Sequence, residues 1–395
     1  MNTYKVMIKK IKKICVFVGS RANYSSIKSV MEAVKNHNSL ELQLVLGASA
    51  VLDRFGKVED LIRKDGFNPN YIFHNLVEGE DPTVMAKSTG LGIMDASMIL
   101  SHLKPDVVVL VGDRFEIISM TIAAAYMNIR IAHTMGGEVT GTIDESIRHA
   151  VTKFAHIHFP ANEDSKKRLI KMGEDEKSVF NVGCPRIDLV ADELKNNSKE
   201  VLKNLFKNYG GVGKGFDLTK PFLLVSQHPV TTEYENSRKQ IEETLNALND
   251  LQIPTIMLWP NADAGAEDIA KGIRTFREKK NPQWLNLFKN LPTYIYIHLM
   301  NITSCLIGNS SSGIRDAAYI GTPVVNIGTR QNKRLRANNV VQVDCIKKEI
   351  VNGIMAQLKN GKFPSSLIYG DGTAGKKIAN ILVEAEPSVQ KTIVY

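Results

Sequence analysis

Short uninterrupted apolar runs alternate along this chain with longer stretches in which hydrophobic residues recur every three or four positions. The runs cover residues 14–19, 42–47, 107–112, 130–133, 156–160 and 179–183, then 222–227, 255–259, 305–308 and 323–328. Runs of roughly four to eight aliphatic residues without polar alternation predict strands buried on both faces, and therefore parallel strands. The amphipathic stretches between them predict covering helices, and the alternation predicts an α/β fold of doubly wound layers. Residues 294–300 alternate like a strand, but the run at 305–308 follows so closely that a helix is the better reading there.

The pattern breaks near residues 195–220, where a Gly- and Lys-rich stretch interrupts it. This stretch superficially resembles a phosphate loop. However, Lys214 is followed by Gly215, no glycine stands five residues before Gly213, and the stretch precedes a strand instead of following one. It reads as a linker between two βα-repeating domains, residues 1–195 and 196–373. The C-terminal segment, 374–395, opens with a helical pattern expected to pack back across the junction.

The chain has 395 residues, 43% hydrophobic and 23% charged, enough to bury large cores without staples. Its four cysteines are far apart and form no CxxC pair, which argues against a disulfide framework or a structural zinc site. His156 and His158 alternate along a predicted strand and point to opposite faces, so no transition metal is expected. No apolar run approaches the roughly 18–20 residues of a membrane span. The N-terminus is too basic for a secretory signal, so a cytoplasmic location is expected. The net charge of +9 owes much to Lys5, Lys9, Lys10, Lys12 and Lys13. They read as a solvated extension, not as a nucleic-acid or lipid contact, and the mild excess on the rest suits an anionic small substrate such as a sugar nucleotide.

In open α/β sheets ligands sit beyond the carboxyl ends of the strands, and here those ends are polar. The first strand runs into Gly19-Ser20-Arg21-Ala22-Asn23-Tyr24-Ser25, where a glycine, a guanidinium and a helix start can converge on an anion. No GxGxxG accompanies it, which argues against a bound dinucleotide. In the second half, Gly308-Asn309-Ser310-Ser311-Ser312-Gly313 lies between a strand and a helical pattern at 314–320. One serine would suffice as a helix cap; three between glycines favour a phosphate approached by hydroxyls and backbone. Arg330 follows another strand, and His228 and Asn261 close two more. Carboxylates gather in the first half. They are Asp113 and Arg114 after one strand, Glu138 after the next, then Asp144 and Arg148 at i and i+4, with Asp188 further on. Several acids at adjacent strand ends shift one another's pKa, as general acid–base chemistry requires. Glu145 points elsewhere on a helix and reads as a surface charge.

Seven segments in order carry a family resemblance. They are GlySerArgAlaAsnTyrSer (19–25), GlyAspArg (112–114), GlyGlyGlu (136–138), AspGluSerIleArgHis (144–149), HisPro (228–229), AsnAlaAspAlaGly (261–265) and GlyAsnSerSerSerGly (308–313). Over residues 12–375 the chain resembles the hydrolysing UDP-N-acetylglucosamine 2-epimerases. The resemblance implies two Rossmann-like domains of the glycosyltransferase-B type, with a sugar nucleotide bound between them and no cofactor. It implies nucleotide and diphosphate contacts from Arg21, Ser25, His228, Asn261, Ser310, Ser311, Asp316 and Arg330. Asp113, Arg114, Asp144, Arg148 and Asp188 would line the sugar. It also implies a homodimer or homotetramer.

The implied reaction eliminates UDP across C1–C2 to a 2-acetamidoglycal and then adds water, releasing free N-acetylmannosamine. Such chemistry needs cations on the departing diphosphate (Arg21, His228, Arg330) and a carboxylate near C2. Asp113 or Asp144 would serve as base, and Glu138 or Asp188 would activate water. Two departures from some relatives, Met135 before GlyGlyGlu and apolar residues at 47–52, remove polar groups near the sugar. They favour a less hydroxylated substrate, UDP- or GDP-linked 2,4-diacetamido-2,4,6-trideoxyglucose, as an alternative to UDP-N-acetylglucosamine. A retaining glycosyltransferase and a non-catalytic sugar-nucleotide sensor are the readings from other classes.

Overall fold

Nine of the ten apolar runs become strands because their residues find cover on both faces of a sheet, and three further segments add strands at sheet edges. In the computed structural model, which describes residues 11–53, 56–78, 82–139, 143–260, 265–289 and 291–394, the strands form two six-stranded, all-parallel sheets. The first contains β1 (Lys12–Val18), β2 (Leu40–Leu46), β3 (Tyr71–Ile72), β4 (Val107–Val111), β5 (Arg130–Thr134) and β6 (Ile157–Phe159). The second contains β7 (Leu223–Ser226), β8 (Thr255–Leu258), β9 (Leu285–Phe288), β10 (Cys305–Gly308), β11 (Val324–Ile327) and β12 (Val340–Val343).

The strand orders are β3-β2-β1-β4-β5-β6 and β12-β11-β10-β7-β8-β9. Numbered within its own sheet, each is the Rossmann order, in which the chain starts at the centre, winds to one edge, and returns to the centre to wind the other way. The reversal falls between β1 and β4 in one sheet and between β7 and β10 in the other. In open α/β sheets such a reversal is where a ligand crevice forms beyond the strand ends. The core of the first sheet includes Phe17, Val45, Val108, Leu110, Met120 and Ile131, and that of the second Leu223, Val225, Leu245, Ile307, Val325 and Ile354.

The chain divides into two compact units. One comprises the described residues of Met1–Glu138, Ile143–Leu189 and Gly372–Tyr395, and the other is built on Val190–Asp371. The C-terminal helix Ala374–Glu384 belongs to the first unit, where it packs on the helix Arg21–Lys35.

The stretch expected to be a linker is instead part of the second unit. Val212 exchanges backbone hydrogen bonds with Leu287 of β9 at 2.8 and 3.0 Å, and Phe206 and Phe216 stack into a ring cluster with Phe222 and Phe288. Residues 179–183 make no strand. Only Val179 bridges to His158, because the chain turns away after Phe180 N donates to His158 O. Residues 293–302 are helical as expected. Among the described residues, no helix is long and apolar enough to cross a membrane, and the four cysteines are free thiols.

Candidate active site

In the first unit Asp113 and the turn that carries Glu138 are tied together beyond β4 and β5, with Asp144 on the helix that follows. Gly112, with φ +78°, follows β4 and turns the chain just before Asp113 and Arg114. Arg148 lies one turn into the helix Ile143–Phe154 and is 1% exposed. Its Nη2 donates to Asp113 Oδ2, and its Nη1 donates to the Glu138 carbonyl at 2.8 Å. One buried guanidinium therefore ties the β4 end to the turn after β5. That turn is pinned a second time by Arg168, which donates to Gly137 O. Met135, just before it, adopts a left-handed φ of +63°, a conformation that costs a non-glycine residue about 1 kcal/mol. Its sulfur lies 4.0 Å from that of Cys184, so its side chain packs inward. Asp144 stands in the first turn of the same helix as Arg148, half-buried. Glu145 pairs with His149 at 3.5 Å, away from the cluster, as expected.

Glu116 was not singled out from the sequence. It is 1% exposed, and its Oε1 accepts from Arg114 Nε at 2.8 Å. It lies so close to the β1 turn that a Cβ on Gly19 would fall 2.5 Å from its Cγ, which is why a glycine stands there. Burial pushes its carboxyl above the usual range; Arg114 and its own backbone N–H pull it back, and the charge of Asp144 pushes it up again. Asn23, also missed as a site residue, joins the two strand ends, accepting from Gly19 N and donating to Val111 O at 3.3 Å each. Arg21 is exposed at the first position of its helix. Ser25 is not directed at the strand ends, since its hydroxyl donates back to Ala22 O at 3.1 Å.

Asp188 requires a correction. Its two oxygens accept from Ala374 N and Gly375 N, at 2.9 and 2.7 Å. It caps the C-terminal helix, a contact the sequence reading did not assign to it. The GlyCysProArg turn beside it is likewise structural, with Pro185 O accepting from Ser29 Oγ at 3.2 Å.

In the second unit the loops after β7 and β10 meet at the other reversal. Gly308 (φ +129°) runs so close to β7 that a Cβ would fall 2.2 Å from Ser226 O. Asn309 then locks onto His228, accepting from its N–H and donating to its carbonyl, both at 2.8 Å. The Asn309 carbonyl accepts from Arg330 Nη1 at 3.1 Å and from Gln331 Nε2 at 2.9 Å. Ser310 caps the turn, and its hydroxyl lies 2.8 Å from that of Ser312. Ser311 begins the helix Ser311–Ile314, and Gly313 packs against Val324 and Leu306. The helix expected over 314–320 is two short pieces, the second being Asp316–Ile320, so serine hydroxyls and turn N–H groups matter more here than a long helix dipole. Asp316 is buried at the start of that second piece.

His228 is a second correction. Burial and the neighbouring Arg330 charge push its pKa down to about 3, which favours the neutral imidazole where a cation was expected. Asn261 lies outside the described residues. Among the described residues, no cluster of three or more His, Cys, Asp or Glu could hold a metal.

This arrangement, a buried arginine tying Asp113 to the Glu138 turn in one unit and a hydroxyl-rich loop in the other, coincides with a sequence match. The UDP-N-acetylglucosamine 2-epimerase family profile matches residues 32–383. The chain belongs to that family. Among its relatives, the hydrolysing UDP-N,N'-diacetylbacillosamine 2-epimerase of Legionella pneumophila is 32% identical, over 94% of this chain and 96% of that protein. The hydrolysing GDP/UDP-N,N'-diacetylbacillosamine 2-epimerase of Campylobacter jejuni is 33% identical over 84% of each. The fold matches that of the UDP-GlcNAc 2-epimerase from Neisseria meningitidis solved with UDP-GlcNAc (TM-score 0.79, 17% identity, 95% of this chain and 100% of that one). The family fold is thus the two-unit α/β architecture of glycosyltransferase-B type.

Proposed function

We propose that the protein is a hydrolysing 2-epimerase of a nucleotide-activated 2-acetamido sugar, with a 2,4-diacetamido-2,4,6-trideoxyhexose (the diacetylbacillosamine type) as its preferred sugar. The observation that carries the chemistry is the Arg148 bridge, which brings Asp113 and the Glu138 turn together beside Asp144 and Glu116. The C2–H of such a sugar is barely acidic until the C1–O bond to the diphosphate begins to break. Asp113 or Asp144 takes the C2 proton as the C1–O electron pair leaves with the nucleoside diphosphate. The resulting glycal gains a hydroxyl at C1 and a proton at C2 from the opposite face, with Glu138 acting on the water. Arg21, Arg330, neutral His228, Ser310 and Ser312 supply donors to the departing diphosphate.

The Legionella and Campylobacter relatives support the choice of sugar. The family name and the Neisseria complex keep UDP-N-acetylglucosamine as the second reading.

The test is incubation with each sugar nucleotide, as UDP and GDP forms, in deuterated water. The expected products are free nucleoside diphosphate and a free reducing sugar carrying deuterium at C2, formed fastest from the diacetamido substrate. A sugar that stays nucleotide-bound would mean a non-hydrolysing epimerase. Release without deuterium would mean glycosyl transfer, and tight binding without release would mean a sensor.

A further inference from the structure

The second unit contains a hydroxyl cluster that the reaction scheme above leaves unexplained. Tyr296, on the helix Thr293–Ile302, places its phenol 2.8 Å from Ser312 Oγ, which in turn lies 2.8 Å from Ser310 Oγ. The phenol also faces Ser226 and Ser310, whose nearby hydroxyls act against the rise in pKa that burial causes, and Ser226 Oγ lies 3.3 Å from His228 Nε2. A single side chain from a third element therefore joins the ends of β7 and β10, the two strands that flank the reversal. A hydroxyl donates only once, so along the chain from Tyr296 through Ser312 to Ser310 the direction of each donation constrains the next. A phenol is a stronger donor than an alcohol, and burial keeps this one protonated by pushing its pKa above the usual range. Donation from Tyr296 to Ser312 leaves the Ser312 O–H free to turn outward, and chained hydroxyls strengthen one another's outward donation. A hydroxyl with only a packing role would not need three serine neighbours on two loops.

We infer that Tyr296 is a positioning residue of the diphosphate site: its phenol donates into the Ser226, Ser310 and Ser312 cluster and thereby directs the serine hydroxyls and the His228 ring toward phosphate oxygens. The inference rests on the nucleotide-diphosphate reading of this loop.

Tyr296→Phe keeps the ring and its volume and removes only the donor. Titration calorimetry with UDP and GDP on the full-length chain, together with melting curves, separates the outcomes. The expected result is a diphosphate affinity about tenfold weaker than wild type with a melting temperature close to it, and a kcat that falls more than KM rises alone would explain. An unchanged affinity in a folded variant overturns the role of Tyr296 while leaving the site reading intact. A melting temperature that falls without a change in affinity does the same, because it marks packing only. If wild type binds neither UDP nor GDP, the nucleotide reading itself fails. Should Tyr296→Phe not fold, Ser226→Ala carries the test. An affinity weakened about threefold supports the relay to His228, and wild-type affinity overturns it.

Discussion

A guanidinium buried as deeply as Arg148 costs several kcal/mol unless its partners stay in place, and its partners are Asp113 and the Glu138 carbonyl. Asp113→Asn should therefore abolish turnover and also lower stability by about 3 kcal/mol, measured by urea unfolding. Pairing it with Arg148→Met should recover part of that stability and none of the activity, because the stranded charge is gone. His228 makes a prediction about pH. Its folded pKa of about 3 lies below the unfolded value of about 6.5, so the unfolded chain binds more protons between those limits. The stability His228 contributes is complete above pH 6.5 and is lost as the pH falls toward 3. His133, held at about 4 by burial, acts in the same direction. Unfolding midpoints followed from pH 7 to 4 should fall less steeply in His228→Gln than in wild type; equal slopes would remove His228 from the account. At this scale the sequence was partly legible. Asp113, Glu138, Asp144 and Arg148 could be found because acids and arginines at strand ends are unusual. Glu116 follows Arg114 by two positions and looks like the first turn of an ordinary helix. Asp188 was misread because adjacency to a motif says nothing about which way a carboxylate points.

The helix Ile143–Phe154 carries Asp144 and Arg148 at its start, and its far end is held by the C-terminal tail. Lys391 Nζ donates to the carbonyls of Thr152, Lys153 and Ala155 at 2.9, 3.1 and 2.6 Å, and forms an ion pair with Glu174. A cation on the last carbonyls of a helix offsets both their unmet hydrogen bonds and the negative end of the dipole. Lys391→Ala should cost about 1–2 kcal/mol, read by chemical unfolding. Amide exchange should quicken at residues 152–155 if the loss is local. Burial pushes the Glu174 carboxyl up, but hydrogen bonds from His158, Lys391 and Lys153 outweigh this and hold it at about 2. The tie therefore weakens between the ordinary carboxylate range and pH 2. Most elements were legible because apolar runs such as ValValValLeuVal (107–111) have no other stable destination. β3 has two residues, while β9 carries Asn286 and β12 carries Gln342, so neither presents an unbroken run. The helix at 314–320 breaks at Arg315, whose φ/ψ of −97°/−65° departs from the ideal helix by more than ordinary scatter in φ.

Across the whole chain, two units with separate cores should not unfold in a single step, since each can lose its packing independently. Hydrogen exchange with and without UDP should show protection gathering at residues 226–228 and 308–313, which lie at the second reversal. Uniform protection, or none, would contradict a phosphate site there. The pairing of two Rossmann-like layers was readable from the repeating pattern, but not the point where one unit ends. Composition marked residues 207–220 as a break, and only the bridge between Val212 and Leu287 shows where that segment belongs. The first unit is discontinuous in sequence, closing with Gly372–Tyr395. This has a consequence for biosynthesis. On the ribosome, Ile27 and Val30 emerge long before the helix that packs over their own helix has been translated. The nascent first unit must wait, with part of its core uncovered, until the second has been made. Translation arrested near residue 371 should thus yield a protease-resistant second unit and a chaperone-dependent first one.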